Sequence, residues 1–269
     1  MKGIASLAYI TFKEGIRSRA LFGIFILAVL MFAATVALTS LFMRDLMKVA
    51  ADLSLSTISF AGLLMVIFIG TNLLAKDIEK RTIYMVISRP LSRSQYIVGK
   101  YLGLCGLVLA SVLFLGIVSS LPVYLSVINY TNPVTVFSWK IYCLAIFFIA
   151  LKLALISSVV VFFSAITSTS FISLVLTIAT YIIGSTNEVV KGIMETKPKG
   201  EELSGLLGGV IKFVYYVFPN LSAFDLKLQA SHGLAIPEGY LLWVTLYGII
   251  YIAVMIAAAA LIMERREFP

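Results

Sequence analysis

Long apolar runs without a single charge constrain this chain more than any other feature. Residues 20–43, 53–75, 101–121 and 240–263 contain no Asp, Glu, Lys or Arg, and 141–186 is apolar throughout apart from Lys152 and the hydroxyl-rich stretch "SAITSTS" at 164–170. A helix needs about 20 apolar residues to cross ~30 Å of hydrocarbon. In that medium every backbone N–H and C=O must also be satisfied within the protein, which favours helices. Dividing the longest run at its hydroxyl turn gives crossings at 141–163 and 171–186. The expected fold is therefore all-α, a polytopic membrane helix bundle with six transmembrane helices. Composition agrees, since 61% of the chain is hydrophobic and 13% charged, against roughly a quarter charged in soluble domains.

The connecting segments carry the remaining information. In the arm 1–19, Ile4, Leu7, Ala8 and Phe12 recur at approximate helical spacing among Lys2, Lys13, Glu14, Arg17 and Arg19. This pattern predicts an N-terminal amphipathic elbow helix along a membrane surface. The run after it exceeds the ~7–15 residues of a signal-peptide core, so it is expected to be a retained first span. The third span is expected to close at Pro122. Residues 187–239 form the longest polar region, expected to be an extracytoplasmic loop with interfacial helices. Within it "LSGLLGGVIKFVYYVF" at 203–218 contains Lys212 and stops at Pro219. That stretch is expected to be interfacial or re-entrant rather than a seventh crossing.

Lys and Arg cluster in the arm, in the connector 76–100 and at Arg265 and Arg266. Cytoplasmic flanks retain such residues, and an even number of spans puts all three segments, and both termini, on the cytoplasmic side. The basic residues of 187–239 dissent, although long loops obey the rule poorly. The net charge of +8 sits beside apolar runs, so anionic lipid headgroups and cytoplasmic proteins are its natural partners, not nucleic acid. Cys105 and Cys143 fall in apolar runs, where a free thiol behaves as a small hydrophobe. The chain has no GxxxxGK[ST] stretch to cradle nucleotide phosphates and no HExxH zinc pair. His232 is its sole histidine, so catalytic and metal sites are expected to be absent.

The connector "KDIEKRTIYMVISRPLSRSQYIVGK", 76–100, is more structured than a tether requires. A charged turn is followed by an apolar patch, and then Pro90 fixes its own torsion and turns Arg89 away from helix. Ser92 and Gln95 then match a capping box, which predicts a new helix starting there. The expectation is a short coupling helix, a fixed corner and a second capped helix. An amphipathic segment resting on anionic lipid accounts for the charge but not for the corner.

The stretch "DIEKRTIYMVISRPLSRSQYIVGKYLG" resembles the hallmark of exporter permeases of the second ABC (ATP-binding-cassette) type. Glu79, Thr82, Ser88, Pro90, Arg93, Tyr96, Gly99 and Lys100 carry the likeness. The arm "TFKEGIRSRALFGI" and the tail "MERREFP" are similar to the ends of these permeases, and the branch that includes the nitrous-oxide reductase maturation permease is the most similar. The resemblance implies two permease protomers, as a homodimer or paired with a close relative, working with two separate ATPase subunits in a prokaryotic cytoplasmic membrane. ATP and Mg would reside on the partner, with no cofactor in this chain. It further implies that Glu79, Lys80, Arg81, Arg89, Pro90 and Arg93 dock the ATPase.

Thr71, Asn72, Thr177, Thr180 and Tyr181 could by the same analogy line a pathway, or equally form interhelical hydrogen bonds. Lys152, near the middle of the fourth run, supports a competing expectation. An ionisable residue at that depth marks a functional site by default, so the alternative is a gradient-driven secondary transporter using Lys152. Against it, no acidic residue lies in a span as counter-charge.

Overall fold

The computed structural model describes residues 2–39, 46–73, 92–129, 137–188, 192, 215 and 217–266, and among them there is no strand. Helix α1 (Lys2–Ile16) turns into α2 (Arg19–Thr39). Helix α3 (Leu46–Met65) continues through a π-helical turn, Val66–Gly70, to Leu73. Then come α4 (Arg93–Asn129), α5 (Trp139–Ile166), α6 (Ser170–Ser185), a 3₁₀ turn (Ser222–Phe224), α7 (Lys227–His232) and α8 (Tyr240–Arg265).

Among the described residues five helices, α2, the continuous Leu46–Leu73, α4, α5 and α8, are long and apolar enough to cross a membrane. The stretch expected as the fifth crossing is α6, with 16 residues. At 1.5 Å per residue it reaches about 24 Å, short of ~30 Å of hydrocarbon.

Burial follows the spacing of the side chains. On α2 the buried residues Leu21, Ile24, Ala28, Phe32, Thr35 and Thr39 form one seam at three- and four-residue steps, while Phe22, Ile26, Val29 and Leu30 stay exposed. Such a helix touches its bundle along one stripe and leaves the rest to apolar surroundings. Helices α3 and α5 are mostly buried and form the centre, whereas α2 and α8 lie at the periphery.

Helix boundaries differ from expectation in instructive ways. The third span was expected to close at Pro122, but α4 runs through Pro122 to Asn129. Proline removes one helical hydrogen bond, and in transmembrane helices nearby hydroxyls take up freed backbone groups. Here the flanking Ser119, Ser120 and Ser126 donate to the carbonyls of Gly116, Ile117 and Pro122 rather than to that of Val118, the one Pro122 frees, and the Ser119 hydroxyl also pairs with the buried Tyr142 hydroxyl at 2.8 Å. The polar link expected near 44–52 is shortened, because Lys48 and Asp52 belong to α3. The break at 164–170 forms as expected, with α5 ending at Ile166 and α6 starting at Ser170. The Ser164 and Ser173 hydroxyls pair across it at 3.0 Å.

Part of 187–239 reaches inward, while Leu228 and residues 232–235 and 237–239 stay exposed. Leu221, Phe224, Leu226 and Ala230 join the main core, where Phe224 packs on Phe148 of α5 and faces Gly248 of α8. The Leu221 N–H donates to the Gly184 carbonyl at 3.0 Å, capping the end of α6. A Cβ on Gly184 would lie 2.5 Å from the Pro219 oxygen, so glycine permits this approach. Pro219, Leu221, Phe224 and Leu226 are buried in protein, whereas Asn220, Ser222, Ala223 and Asp225 between them are half-buried. The stretch expected as interfacial, 203–218, lies outside the described residues except for Tyr215, Val217 and Phe218.

Candidate functional site

One end of the bundle gathers the start of α2, the end of α3, the starts of α4 and α6, and the ends of α5 and α8. Helices α5 and α8 point C-terminal carbonyls into it, each end carrying roughly −0.5 of an elementary charge, and the carbonyl of Leu73, the last described residue of the continuous Leu46–Leu73 helix, also faces it. Basic side chains meet all three. Lys100, 4% exposed, donates from Nζ to the Leu73 carbonyl at 3.0 Å and lies 3.8 Å from Glu14 of α1. Arg93 donates from Nη1 to the carbonyls of Met263, Glu264 and Arg266 at 3.4, 3.3 and 2.6 Å. Arg266 in turn donates to the carbonyls of Ala165 and Thr167 at 2.7 and 3.0 Å, and to the Ser168 hydroxyl. The ends of α3, α8 and α5 are thus tied to one another through cations.

The capping box expected at the start of α4 forms. The Ser92 N–H donates to Gln95 Oε1, and the Gln95 N–H to Ser92 Oγ, both at 3.3 Å. The next turns bury Tyr96 and Ile97 against Leu7, Val161, Ala165, Ala259 and Met263, a cluster shared by α1, α4, α5 and α8. The apolar face expected on α1 is the one turned onto α4. A Cβ on Gly103 would lie 2.6 Å from both the Ala8 oxygen and the Thr11 Cβ, and one on Gly99 would strike Leu7. The sequence reading missed this use of glycine, although G-x-x-x-G at 99–103 is a known close-packing signal.

Of the residues named for docking, Glu79, Lys80, Arg81, Arg89 and Pro90 lie outside the described residues. Arg93 is described, and it is engaged with the end of α8.

Lys152 is 4% exposed within α5, with its ammonium 5.5 Å from the centre of the Tyr181 ring. The sequence reading found no acidic residue in a span to oppose it. Charged groups of the downstream segment bear on it from a distance, Asp225, half-buried after the 3₁₀ turn, favouring its charge and Lys227 opposing it. Asp225 also pairs with Lys227 at 3.5 Å. Together with Asp52, Glu188, Ser222 and Tyr240 these two residues line a cleft of about 400 Å³ at the end opposite Arg93. No group able to hold a metal ion occurs among the described residues.

The remaining pathway candidates bond within their own helices. Thr71 and Asn72 donate to the carbonyls of Ile67 and Phe68 inside the π-turn, while Thr177 and Thr180 donate to those of Ser173 and Leu176. The structure therefore brings Lys152 against Tyr181 and leaves the four threonine and asparagine side chains as local supports. No protein-family model matches the chain, and no curated protein matches it.

Proposed function

We propose that this chain is the transmembrane permease subunit of an ATP-driven exporter of the second ABC type, with the 76–100 connector as the element through which separate ATPase subunits act. The observation that carries this reading is the anchoring of the connector's exit. A handle transmits force only if its attachment is stiff. Within eight residues of its exit, Ser92 and Gln95 cap α4, Arg93 grips the end of α8, Tyr96 fills a four-helix cluster and Lys100 grips the end of α3. In this reading α6 and the 219–226 segment together complete a sixth passage.

The charge distribution supports a cytoplasmic placement of this end. Among the described residues, Lys13, Arg17, Arg19, Arg93, Lys100, Arg265 and Arg266 stand there against Glu14 and Glu264, and Lys48, Lys140 and Lys227 stand at the other end against Asp52, Glu188, Asp225 and Glu238. Both termini would then be cytoplasmic, α1 would be the elbow, and the protomer would pair with a second copy in a prokaryotic cytoplasmic membrane. ATP and Mg would be bound by the partner.

The test is copurification of an ATPase subunit with the full chain from its native membrane. Exchanging the charges of Glu79 and Arg81, and reversing Arg89, should lower the recovered ATPase at least severalfold while membrane insertion is retained. Arg93 is left intact because its loss would also release α8. Undiminished recovery would overturn the docking assignment.

A second reading is favoured by one specific observation, the burial of Lys152 within α5 beside Tyr181, with Asp225 as its acidic influence. A buried cation opposed by a carboxylate is the arrangement on which a gradient-driven transporter would rely. In that case Lys152→Met would abolish ion-driven flux by the purified chain in liposomes, with no ATPase present. Under the first reading such liposomes show no flux, and Lys152→Met lowers stability alone.

A further inference from the structure

The corner between α1 and α2 encloses an open cleft of about 690 Å³ lined by Lys13, Glu14, Arg17 and Arg19 over Ile10 and Ile69. Three cations face one carboxylate, and that carboxylate is turned to Lys100. The cleft is therefore cationic in effect. It also sits where α2 begins its apolar course, at the depth of lipid headgroups if α2 crosses a bilayer. Residues 19, 22 and 26 share one helical face, so the column below Arg19 continues into Phe22 and Ile26, which are 62% and 63% exposed.

We infer that this cleft binds the phosphate headgroup of an anionic membrane lipid, with Lys13, Arg17 and Arg19 holding the phosphate and the exposed face of α2 receiving an acyl chain. Two features select a lipid over a soluble anion or a protein surface. The cations alone would suit any phosphate, but an apolar track leads away from them along the helix, and only an amphipathic ligand uses both. Surface basic residues attract anionic lipid by about fivefold each, the equivalent of ~1 kcal/mol per residue. Three that converge on one cleft select a bound lipid from the bulk leaflet. The inference needs α2 to lie in a bilayer and does not depend on the transport reading.

The test is native mass spectrometry of the detergent-purified full chain titrated with phosphatidylglycerol or phosphatidylcholine. One phosphatidylglycerol per protomer should be retained in preference to phosphatidylcholine. Retention should fall about fivefold for each of K13Q, R17Q and R19Q, and also for F22S, which keeps every charge. Lys140→Gln, at the opposite end of the bundle, should leave it unchanged, and soluble glycerol phosphate should not compete. Equal loss in K140Q would reduce the site to general charge. Competition by glycerol phosphate would make it a site for free phosphate. Equal retention of phosphatidylcholine would leave only an apolar surface. Each of these three outcomes overturns the inference.

Discussion

Gly103 shows how closely one side chain, or its absence, sets the geometry of the basic end. The Ala8 oxygen and Thr11 Cβ lie 2.6 Å from where its Cβ would be, whereas the nearest atom to such a Cβ on Gly106 is Phe12 Cδ2 at 3.5 Å. Gly103→Val should therefore part α1 from α4 and cost about 1–3 kcal/mol, the usual range for overpacking. Gly106→Val should cost much less, and thermal unfolding with proteolysis of α1 will separate the two. The apolar face of α1 was legible because Leu7, Ala8 and Phe12 recur at helical spacing. Its target was not, since a lone helix pattern says which face is buried and not against what. The same limit hid Asp225. It lies in a polar stretch 73 positions after Lys152, and only the burial of Phe224 draws it inward.

Helix ends, rather than helix faces, organise the connector side. A charged donor on a buried or half-buried carbonyl is worth about 1.5–3 kcal/mol, and Arg93 and Arg266 are coupled because the first binds the backbone of the second. Arg93→Gln and Arg266→Gln should each loosen the α5–α6 turn, visible as faster amide exchange at 165–170. The double variant should be less damaging than the sum of the two, since losing Arg93 already frees the segment that carries Arg266. The capping box at Ser92 was readable because its chemistry is local, three residues apart. The lengths of α3 and α4 were not, because polar residues such as Lys48 and hydroxyl-flanked Pro122 fit a helix once neighbouring helices pack against them.

At the scale of the molecule, the arrangement of ends dictates which segments share a side. With Cys105 and Cys143 replaced, single cysteines at Ser92 and Ser168 should react with an impermeant thiol reagent from the same side of the membrane, and one at His232 from the other. Reaction of positions 92 and 168 from opposite sides would break the topology. The number of apolar runs made the all-helical bundle legible from the start, while the short α6 and the 219–226 segment depend on long-range packing at Gly184 that no periodicity records. The π-turn at Val66–Gly70 lies in one of the two most enclosed helices, and such turns recur at functional positions. It holds one residue more than an α-helical turn would. Sliding that surplus along the helix would rotate the residues it passes by about 100° and advance them about 1.5 Å. Hydroxyl and amide donors from Thr71 and Asn72 keep it where it is. A shift of that one residue would let the central rod swivel by one notch while its ends stay fastened.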